Sequence, residues 1–439
     1  MKKVLIIANL FHASPRIPGV TKYLPEFGWQ PIILTTHIGE DPESRFGPPN
    51  DFKNNNWVIE TDCSPVLDFW GKILGFNQNE DIGLQVKNRF NIFSEKSSYP
   101  ILSRIYKKAE AVIKYPDAEK GWKSFAVKAG DSVLQKEDID AMISSSSPVT
   151  SHIIAKELKN KHKIPWVADL RDLWTQNHSY PYGNIRMFFE RRLELKTLQL
   201  ADALITVSPL WAEDLRILHR GKKTYTITNG FDPDKMSTGK IDLTSKFTIT
   251  YTGQIYTGRE DPSKLLAALR DLIHDGTMNT DDVEVRFYGP ENELLAKEIE
   301  EYGLFDIVKQ YGIVPREVSF KKQRESQILL LLNWEASWED QREKGWYPLK
   351  IFEYLAAQRP ILAIGGSGDD VVKELLDETK AGMYAPTVED IKSILGELYA
   401  EYKHKGKIGY NGDIEKINKY SYREMARKFA EVLDSILGR

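Results

Sequence analysis

Cysteine is almost absent from this chain of 439 residues, which contains Cys63 and no other thiol. A single thiol excludes an internal disulfide and a zinc site built from thiolates, and it favours a reducing compartment. The eight histidines show no ligand spacing. An acidic pair, Asp138 and Asp140, comes before a predicted strand rather than after one. We therefore predict no metal and no other cofactor.

Long hydrophobic runs are also absent, since none approaches the ~20 residues that a membrane-spanning helix needs. The basic start and apolar run of residues 1–11 resemble a signal peptide, but no small-x-small cleavage site follows, which favours a buried strand. The net charge of −3 gives the whole molecule no attraction to nucleic acid. With 41% hydrophobic and 28% charged residues, we expect a folded cytoplasmic protein that binds no nucleic acid.

What the chain does contain is an alternation of apolar, strand-like segments with amphipathic, helix-like segments. Such alternation predicts parallel sheets with crossover helices. The strand-like segments are residues 4–10, 31–35, 141–144, 166–168, 203–207, 247–251, 283–288, 327–332 and 360–364.

Turn residues separate two sets of these segments. Residues 228–233 read Thr-Asn-Gly-Phe-Asp-Pro, and a polar stretch follows to residue 246. The fold class is therefore α/β, with two doubly wound, Rossmann-like domains facing a central cleft. We assign residues 1–232 to the first domain and residues 233–419 to the second. The last helix, within 420–439, is expected to pack back on the first domain.

The most informative motif opens a predicted helix at Leu349 and Lys350, after a loop with Gly345 and Pro348. Backbone amides at a helix start favour a phosphate, and the charge of Lys350 adds to that preference. Glu353, one turn later, is placed to accept hydrogen bonds from the vicinal hydroxyls of a ribose. The alternative is an exposed glutamate on an ordinary amphipathic helix.

Four motifs, in order along the chain, resemble those of the retaining GT-B glycosyltransferases of family 4. Residues 166–174 resemble the strand-end motif of a polysaccharide-assembly subgroup, and residues 228–232 resemble the interdomain turn. Residues 251–254, Tyr-Thr-Gly-Gln, end the first strand of the second domain. Residues 348–356, followed by Arg359 and Pro360, resemble the nucleotide-sugar segment.

This resemblance implies a GT-B enzyme that moves a sugar from a nucleotide diphosphate donor to a carbohydrate or lipid-linked acceptor, with retention, in cell-surface polysaccharide synthesis. It implies donor contacts from basic residues after the first strand of the second domain and from the helix start. In the first domain the resemblance implies that Gly19 faces the phosphate, and the alternative is that Gly19 is a turn residue. The expected donor-binding residues are Gly19, Gly253, Arg259, Lys264, Leu349, Lys350 and Glu353.

The sequence departs from the family at two positions. Many members have a glutamate eight residues before Glu353, where this chain has Gly345, and many have a histidine where it has Arg171. We expect Asp172 to lie nearest the chemistry and to accept the acceptor's proton, with Arg171 beside it. Alternatively Asp172 caps a helix or pairs with Arg171, and Asp169 has a structural role.

The sequence is also compatible with two other functions. A nucleotide-sugar epimerase of the same fold would need a carboxylate or histidine cluster, and Gly345 makes a catalytically silent binding subunit conceivable. The apolar residues 66–76 and a basic stretch are candidates for peripheral contact with an anionic membrane on its inner face. A solvated helix face and a piece of core would explain the same residues. The basic residues are Arg104, Lys107, Lys108, Lys114, Lys120, Lys123 and Lys128.

Overall fold

The computed structural model describes residues 1–10, 15–38, 52–64, 113–180, 182–236, 242–334 and 341–438. Residues 66–76 and the side chains of Arg104, Lys107 and Lys108, on which the expected membrane contact depends, lie outside the described residues. Within the described ranges, no helix combines the length and the apolar composition needed to cross a bilayer.

The chain divides into two units, and each is built around one parallel sheet. The first unit consists of Met1–Thr206, Ala212–Thr226 and Ala426–Arg439. The second consists of Val207–Trp211 and Ile227–Met425.

The strands, in chain order, are β1 (Lys2–Ile7), β2 (Trp29–Thr36), β3 (Trp57–Thr61), β4 (Ala141–Ser146), β5 (Trp166–Leu170), β6 (Ala203–Thr206), β7 (Lys223–Thr226), β8 (Phe247–Thr252), β9 (Val283–Tyr288), β10 (Val308–Gln310), β11 (Ile328–Leu332), β12 (Ile361–Ile364) and β13 (Gly382–Ala385).

The α-helices, numbered over the described residues, are α1 (Arg16–Tyr23), α2 (Phe52–Asn55), α3 (Lys123–Lys136), α4 (Thr150–His162), α5 (Asn184–Leu198), α6 (Pro209–Leu218), α7 (Ser263–His274), α8 (Glu293–Glu301), α9 (Arg316–Glu325), α10 (Leu349–Ala357), α11 (Val371–Thr379), α12 (Val388–Lys405), α13 (Ile414–Asn418) and α14 (Tyr422–Ile436). Short 3-10 helices span Leu24–Phe27, Ala118–Trp122, Pro233–Lys235 and Gln341–Gly345.

The sheet of the first unit has the order β3-β2-β1-β4-β5-β6-β7. Its central strands are buried along almost their whole length, which is why they read as continuous apolar runs. The strand order reverses between β1 and β4, the position at which open α/β sheets bind ligands beyond their carboxyl ends. The last helix closes this unit, because Phe429 of α14 is fully buried and Asp434 accepts a hydrogen bond from the Trp29 indole at 3.1 Å.

The sheet of the second unit has the order β10-β9-β8-β11-β12-β13. Apolar clusters cover both of its faces, and β11 contributes to each. Ile328 and Leu330 point into one cluster, whereas Leu329 and Leu331 point into the other. Both units are therefore parallel sheets between helical layers, and the predicted α/β fold class is confirmed.

Candidate functional site

The loop after β8 begins at a position that favours glycine. Gly253 has a φ of 126°, and its N–H donates to Tyr288 O at 2.7 Å. A Cβ on Gly289, at the end of the neighbouring strand β9, would lie 2.1 Å from Gly253 O. The two backbones therefore meet at the carboxyl end of the sheet, and Gly253 is at this junction.

A buried carboxylate connects this loop to the start of α10. The Glu260 side chain has no exposed surface and accepts a hydrogen bond from Tyr256 N–H at 3.0 Å. The Lys350 ammonium lies 3.2 Å from Glu260 and 4.3 Å from the ring centre of Tyr251. Burial and the charge of Glu260 raise the pKa of Tyr251 well above its usual value, so this hydroxyl stays neutral. Glu260 was not among the predicted site residues.

Arg259 lies between a carboxylate and an aromatic ring. Its Nη1 is 3.0 Å from Glu343 Oε1, and its guanidinium carbon is 4.5 Å from the ring centre of Trp334. Trp334 is stacked on Trp346, with ring centres 3.9 Å apart. Side chains from after β8, from after β11 and from before α10 thus meet at Arg259.

The remaining predicted donor residues have separate partners. Lys264, in the first turn of α7, donates to Pro386 O at 3.1 Å. Leu349 begins α10, and no side chain of the described residues caps this helix start. Glu353 lies one turn further and pairs with Arg316 of α9 at 3.1 Å, with about a third of its side chain exposed.

The structure explains why position 345 lacks a side chain. Gly345 is buried, and a Cβ there would lie 2.4 Å from Trp211 Cδ1 and 2.9 Å from Ser208 Oγ. Real Cβ atoms do not approach other atoms this closely, and Trp211 is itself only 1% exposed. The departure from the family pattern is therefore built into the packing of this segment.

In the first unit, Arg171 and Asp172 directly follow β5. They form an ion pair, with Arg171 Nη2 2.7 Å from Asp172 Oδ2, and a third of the Asp172 side chain is exposed. Asp169, inside β5, has no exposed surface and pairs with Arg16 Nη2 at 2.9 Å. Gly19 is buried in α1, where its N–H donates to Pro15 O at 2.8 Å.

A cavity of about 250 Å³ in the first unit is lined in part by Leu173 and Trp174, which follow Asp172 in the chain. Its lining includes the aromatic residues Trp174 and Tyr180 and the carboxylates Asp117 and Glu190. Burial raises the pKa of Asp117 to about 6, although Thr150 donates two hydrogen bonds of 2.7 Å to it. No local motif marks these residues in the sequence, because segments far apart in the chain form the cavity.

A second cavity, of about 310 Å³, lies beside the loop after β8. Arg259 lines it together with three carboxylates, those of Glu260, Asp261 and Glu298. Burial and the charge of Asp261 raise the pKa of Glu298 above its usual value. An acidic lining does not suit a diphosphate. Lys350 does not line this cavity, and Arg259 also contacts Glu343 and Trp334, which lie outside it.

Residues 96–235 match the family model described as Glycosyltransferase Family 4. The matched segment contains Arg171 and Asp172 but ends before β8, so it does not include the candidate donor residues of the second unit. No curated protein sequence matches the chain.

Solved structures match the chain over almost its whole length. Sucrose-phosphate synthase from Thermosynechococcus elongatus has a TM-score of 0.63 and 12% identity, with 100% of both chains covered. HepE from Anabaena, in complex with UDP and glucose, has a TM-score of 0.60 and 12% identity, covering 99% of this chain and 100% of the other. The lipopolysaccharide outer core galactosyltransferase WaaB has a TM-score of 0.57 and 12% identity, covering 99% of each chain.

At identities this low, the structural matches establish the fold. The chain has the GT-B fold, as predicted. Its resemblance to the GT-B glycosyltransferases of family 4 is confirmed, with the sequence match confined to residues 96–235.

Proposed function

We propose that this chain is a glycosyltransferase that moves a sugar from a nucleotide diphosphate donor to a hydroxyl of a carbohydrate or lipid-linked acceptor. The family match over residues 96–235 and the fold support sugar transfer. The nucleotide donor is supported by HepE, whose structures contain UDP and UDP-glucose. We also propose that the transfer retains the anomeric configuration and serves cell-surface polysaccharide synthesis. Both points rest on the motif resemblance.

The observation that carries the proposal is the position of Lys350. Its ammonium is held against Glu260 and the Tyr251 ring at the carboxyl end of β8, where open α/β sheets bind ligands. Since the Glu260 side chain is fully buried, it holds the ammonium from the interior and does not itself face a ligand that would approach from the solvent. We propose that Lys350, together with the amides of the α10 start, binds the donor diphosphate.

Arg259 would add a second positive charge. Its side chain is 38% exposed and rests on Trp334, so its guanidinium is accessible. We propose that donor binding replaces the Glu343 contact of Arg259 by a phosphate contact, and that Lys264, in the first turn of α7, adds a further positive charge. Glu353 would bind the ribose by exchanging its contact with Arg316.

These groups would act on the leaving phosphate. When the bond between the sugar's anomeric carbon and the diphosphate oxygen breaks, negative charge builds on that oxygen, and fixed cations stabilise it. The new bond forms from the acceptor oxygen to the anomeric carbon, and the acceptor's hydroxyl proton must be accepted by a base. We propose Asp172 for this step, with Arg171 holding its carboxylate.

The acceptor would bind in the first unit. The cavity beside Trp174 and Tyr180 combines aromatic surfaces with carboxylates, and such mixed linings hold and orient small polar ligands. Asp117 and Glu190 would accept hydrogen bonds from acceptor hydroxyls.

The test compares two arginines of the second unit. Arg259→Gln should weaken the binding of the selected nucleotide about 10- to 100-fold, because a charge-assisted hydrogen bond contributes roughly 1.5–3 kcal/mol. Arg270→Gln, which removes a half-exposed arginine paired with Asp271, should leave binding unchanged. A thermal-shift screen of nucleoside diphosphates first selects the nucleotide, and calorimetry then measures its affinity for each variant.

A donor-hydrolysis assay separates the functions. Release of nucleotide with free sugar supports a transferase, whereas a changed donor sugar indicates an epimerase and binding without turnover indicates a silent subunit. Equal nucleotide affinity of Arg259→Gln and Arg270→Gln would refute the phosphate contact of Arg259.

A further inference from the structure

The exposed face of α5 carries apolar and cationic side chains. Ile185 is 80% exposed, and Phe188 and Phe189 are each 56% exposed. The remaining members recur at helical spacing, so that all of them share one side of the helix. The face consists of Ile185, Phe188, Phe189, Arg192, Leu195 and Lys196.

The opposite side of α5 is fixed to the first unit by polar contacts. Glu190 is 2% exposed and accepts hydrogen bonds from Arg186 at 2.6 Å and from the Trp174 indole at 3.2 Å. Glu194 has no exposed surface and accepts from Thr175 N–H at 3.2 Å. Rotating the helix to bury its phenylalanines would expose and break these contacts, so the apolar face stays outside.

The orientation of α5 also determines which charged side chains lie on its outer face. Both acidic residues of α5 point inward and Arg191 is bonded to Thr175, whereas Arg192 and Lys196 carry positive charge on the outer face. Lys156 of α4 lies near Lys196, and the neighbouring Glu157 pairs with Lys123 at 2.6 Å. The face is therefore apolar with positive charge at its end, which complements a surface that is apolar and negative.

The aromatic residues also have a geometry suited to an interface. The rings of Phe188 and Phe189 meet edge to face with centres 5.5 Å apart, and the Arg192 guanidinium lies 5.5 Å from the Phe188 ring centre. An amphipathic helix with aromatic and basic side chains on its outer side lies in the plane of a bilayer surface. With 15 residues, α5 is about 22 Å long, too short to span a bilayer.

We propose that this face of α5 binds the surface of an anionic phospholipid bilayer. The apolar side chains enter the boundary between headgroups and acyl chains, and Arg192 and Lys196 contact lipid phosphates. All residues of this face lie within the described ranges, and the proposal does not depend on sugar transfer.

The experiment measures flotation of the full-length protein with vesicles of phosphatidylcholine containing phosphatidylglycerol, and with vesicles of phosphatidylcholine alone. The parent protein should float with the anionic vesicles at low salt and less at high salt. The Phe188→Ser/Phe189→Ser variant should lose at least tenfold in partitioning, and Arg192→Glu/Lys196→Glu should lose its preference for anionic lipid.

A matched control is available in the second unit. Phe305→Ser/Ile313→Ser removes two apolar side chains that are 66% and 80% exposed, and it should bind vesicles like the parent protein. Because all four substituted apolar residues are exposed, each variant should keep the parent's thermal unfolding midpoint.

Three results would overturn the proposal. The first is no flotation of the parent protein, which would mean that other parts of the chain cover the face. The second is equal flotation of the parent and the Phe188→Ser/Phe189→Ser variant. The third is a change of oligomeric state in that variant, measured by light scattering, with unchanged flotation, which would identify an interface between two copies.

Discussion

Gly345 lies against the indole ring of Trp211, with its hydrogen pointing where a Cβ would meet Cδ1 at 2.4 Å. The resemblance to the family identified this position as unusual, since a glutamate is common there. The reason was not accessible from the sequence, because Trp211 is distant in the chain and its burial depends on the fold. A glutamate restored here would therefore disrupt packing rather than supply a missing sugar contact.

We predict that Gly345→Ala lowers the free energy of unfolding by roughly 1–3 kcal/mol, the usual range for overpacking a core. Gly345→Glu should be more destabilising, since its carboxylate would also be forced into a buried position. Urea unfolding monitored by tryptophan fluorescence measures both. The control is Gly396→Ala in α12, where nothing lies within 4 Å of the added methyl, and alanine should stabilise the helix by up to about 1 kcal/mol. If Gly345→Ala were as stable as the parent protein, the Trp211 contact would not restrict this position.

Glu260 illustrates a different limit of sequence reasoning. In the sequence it stands between Arg259 and Asp261, and such a charged run is typical of a solvated loop. In the structure its side chain is completely buried between Tyr251 and Lys350. The burial of Glu260 could not be predicted from the neighbouring residues, because it depends on α10 lying next to the end of β8.

At the scale of secondary structure, the strands divide into two groups. Every central strand of both sheets was predicted, because strands buried on both faces are apolar runs. The edge strands β3, β7, β10 and β13 were missed. Each is short, and residues such as those of β7 (Lys-Thr-Tyr-Thr) are only half buried and carry no apolar pattern. An edge strand forms because it pairs with a neighbouring strand, and the sequence of the edge strand alone does not reveal that partner.

A single carboxylate joins two helical elements of the first unit, and its charge depends on pH. Asp117 accepts from Glu119 N–H at the start of the 3-10 helix Ala118–Trp122, and from Thr150 N–H at the start of α4. Burial raises its pKa to about 6 in the folded protein, from 3.8 when exposed. The folded state thus holds the proton more tightly, and stability is lost as the pH rises through this window.

We therefore predict that the stability of the parent protein relative to Asp117→Asn decreases between pH 4 and pH 7, by up to about 3 kcal/mol. The amide of asparagine does not titrate and still offers an oxygen to Thr150. Urea unfolding at a series of pH values measures this difference. Asn292→Ala removes an uncharged cap of α8, so its effect on stability should not vary with pH. An increase of the difference with pH would contradict the raised pKa.

At the scale of the whole molecule, the doubled α/β pattern was sufficient to predict two parallel sheets, and the motif resemblance implied the GT-B fold. Alternation of strand and helix restricts the topology strongly, because crossover connections between parallel strands have one handedness. The candidate site was predicted less completely. Lys350 and Arg259 were identified by type and position, whereas Glu343 and Trp334, which contact Arg259, come from segments whose proximity only the fold provides.

The last helix gives a prediction for the molecule as a whole, because residues from the end of the chain complete the first unit. Phe429 of α14 is fully buried and lies 5.2 Å from the guanidinium carbon of Arg16, which is itself buried beside Asp169. Phe429→Ala should cost about 3–5 kcal/mol of stability, as large-to-small core substitutions do. Phe305→Ala, at a 66% exposed position, should change stability by less than about 0.5 kcal/mol.

Hydrogen exchange under native conditions identifies which unit is affected. Exchange should accelerate in β1 and β2 of the Phe429→Ala variant, because the substitution loosens α14. Asp434 of this helix bonds to Trp29 in β2 and pairs with Lys2 in β1. Amides of β8 and β9 should keep the protection of the parent protein. Faster exchange in β8 and β9 with unchanged β1 and β2 would mean that α14 stabilises the second unit instead.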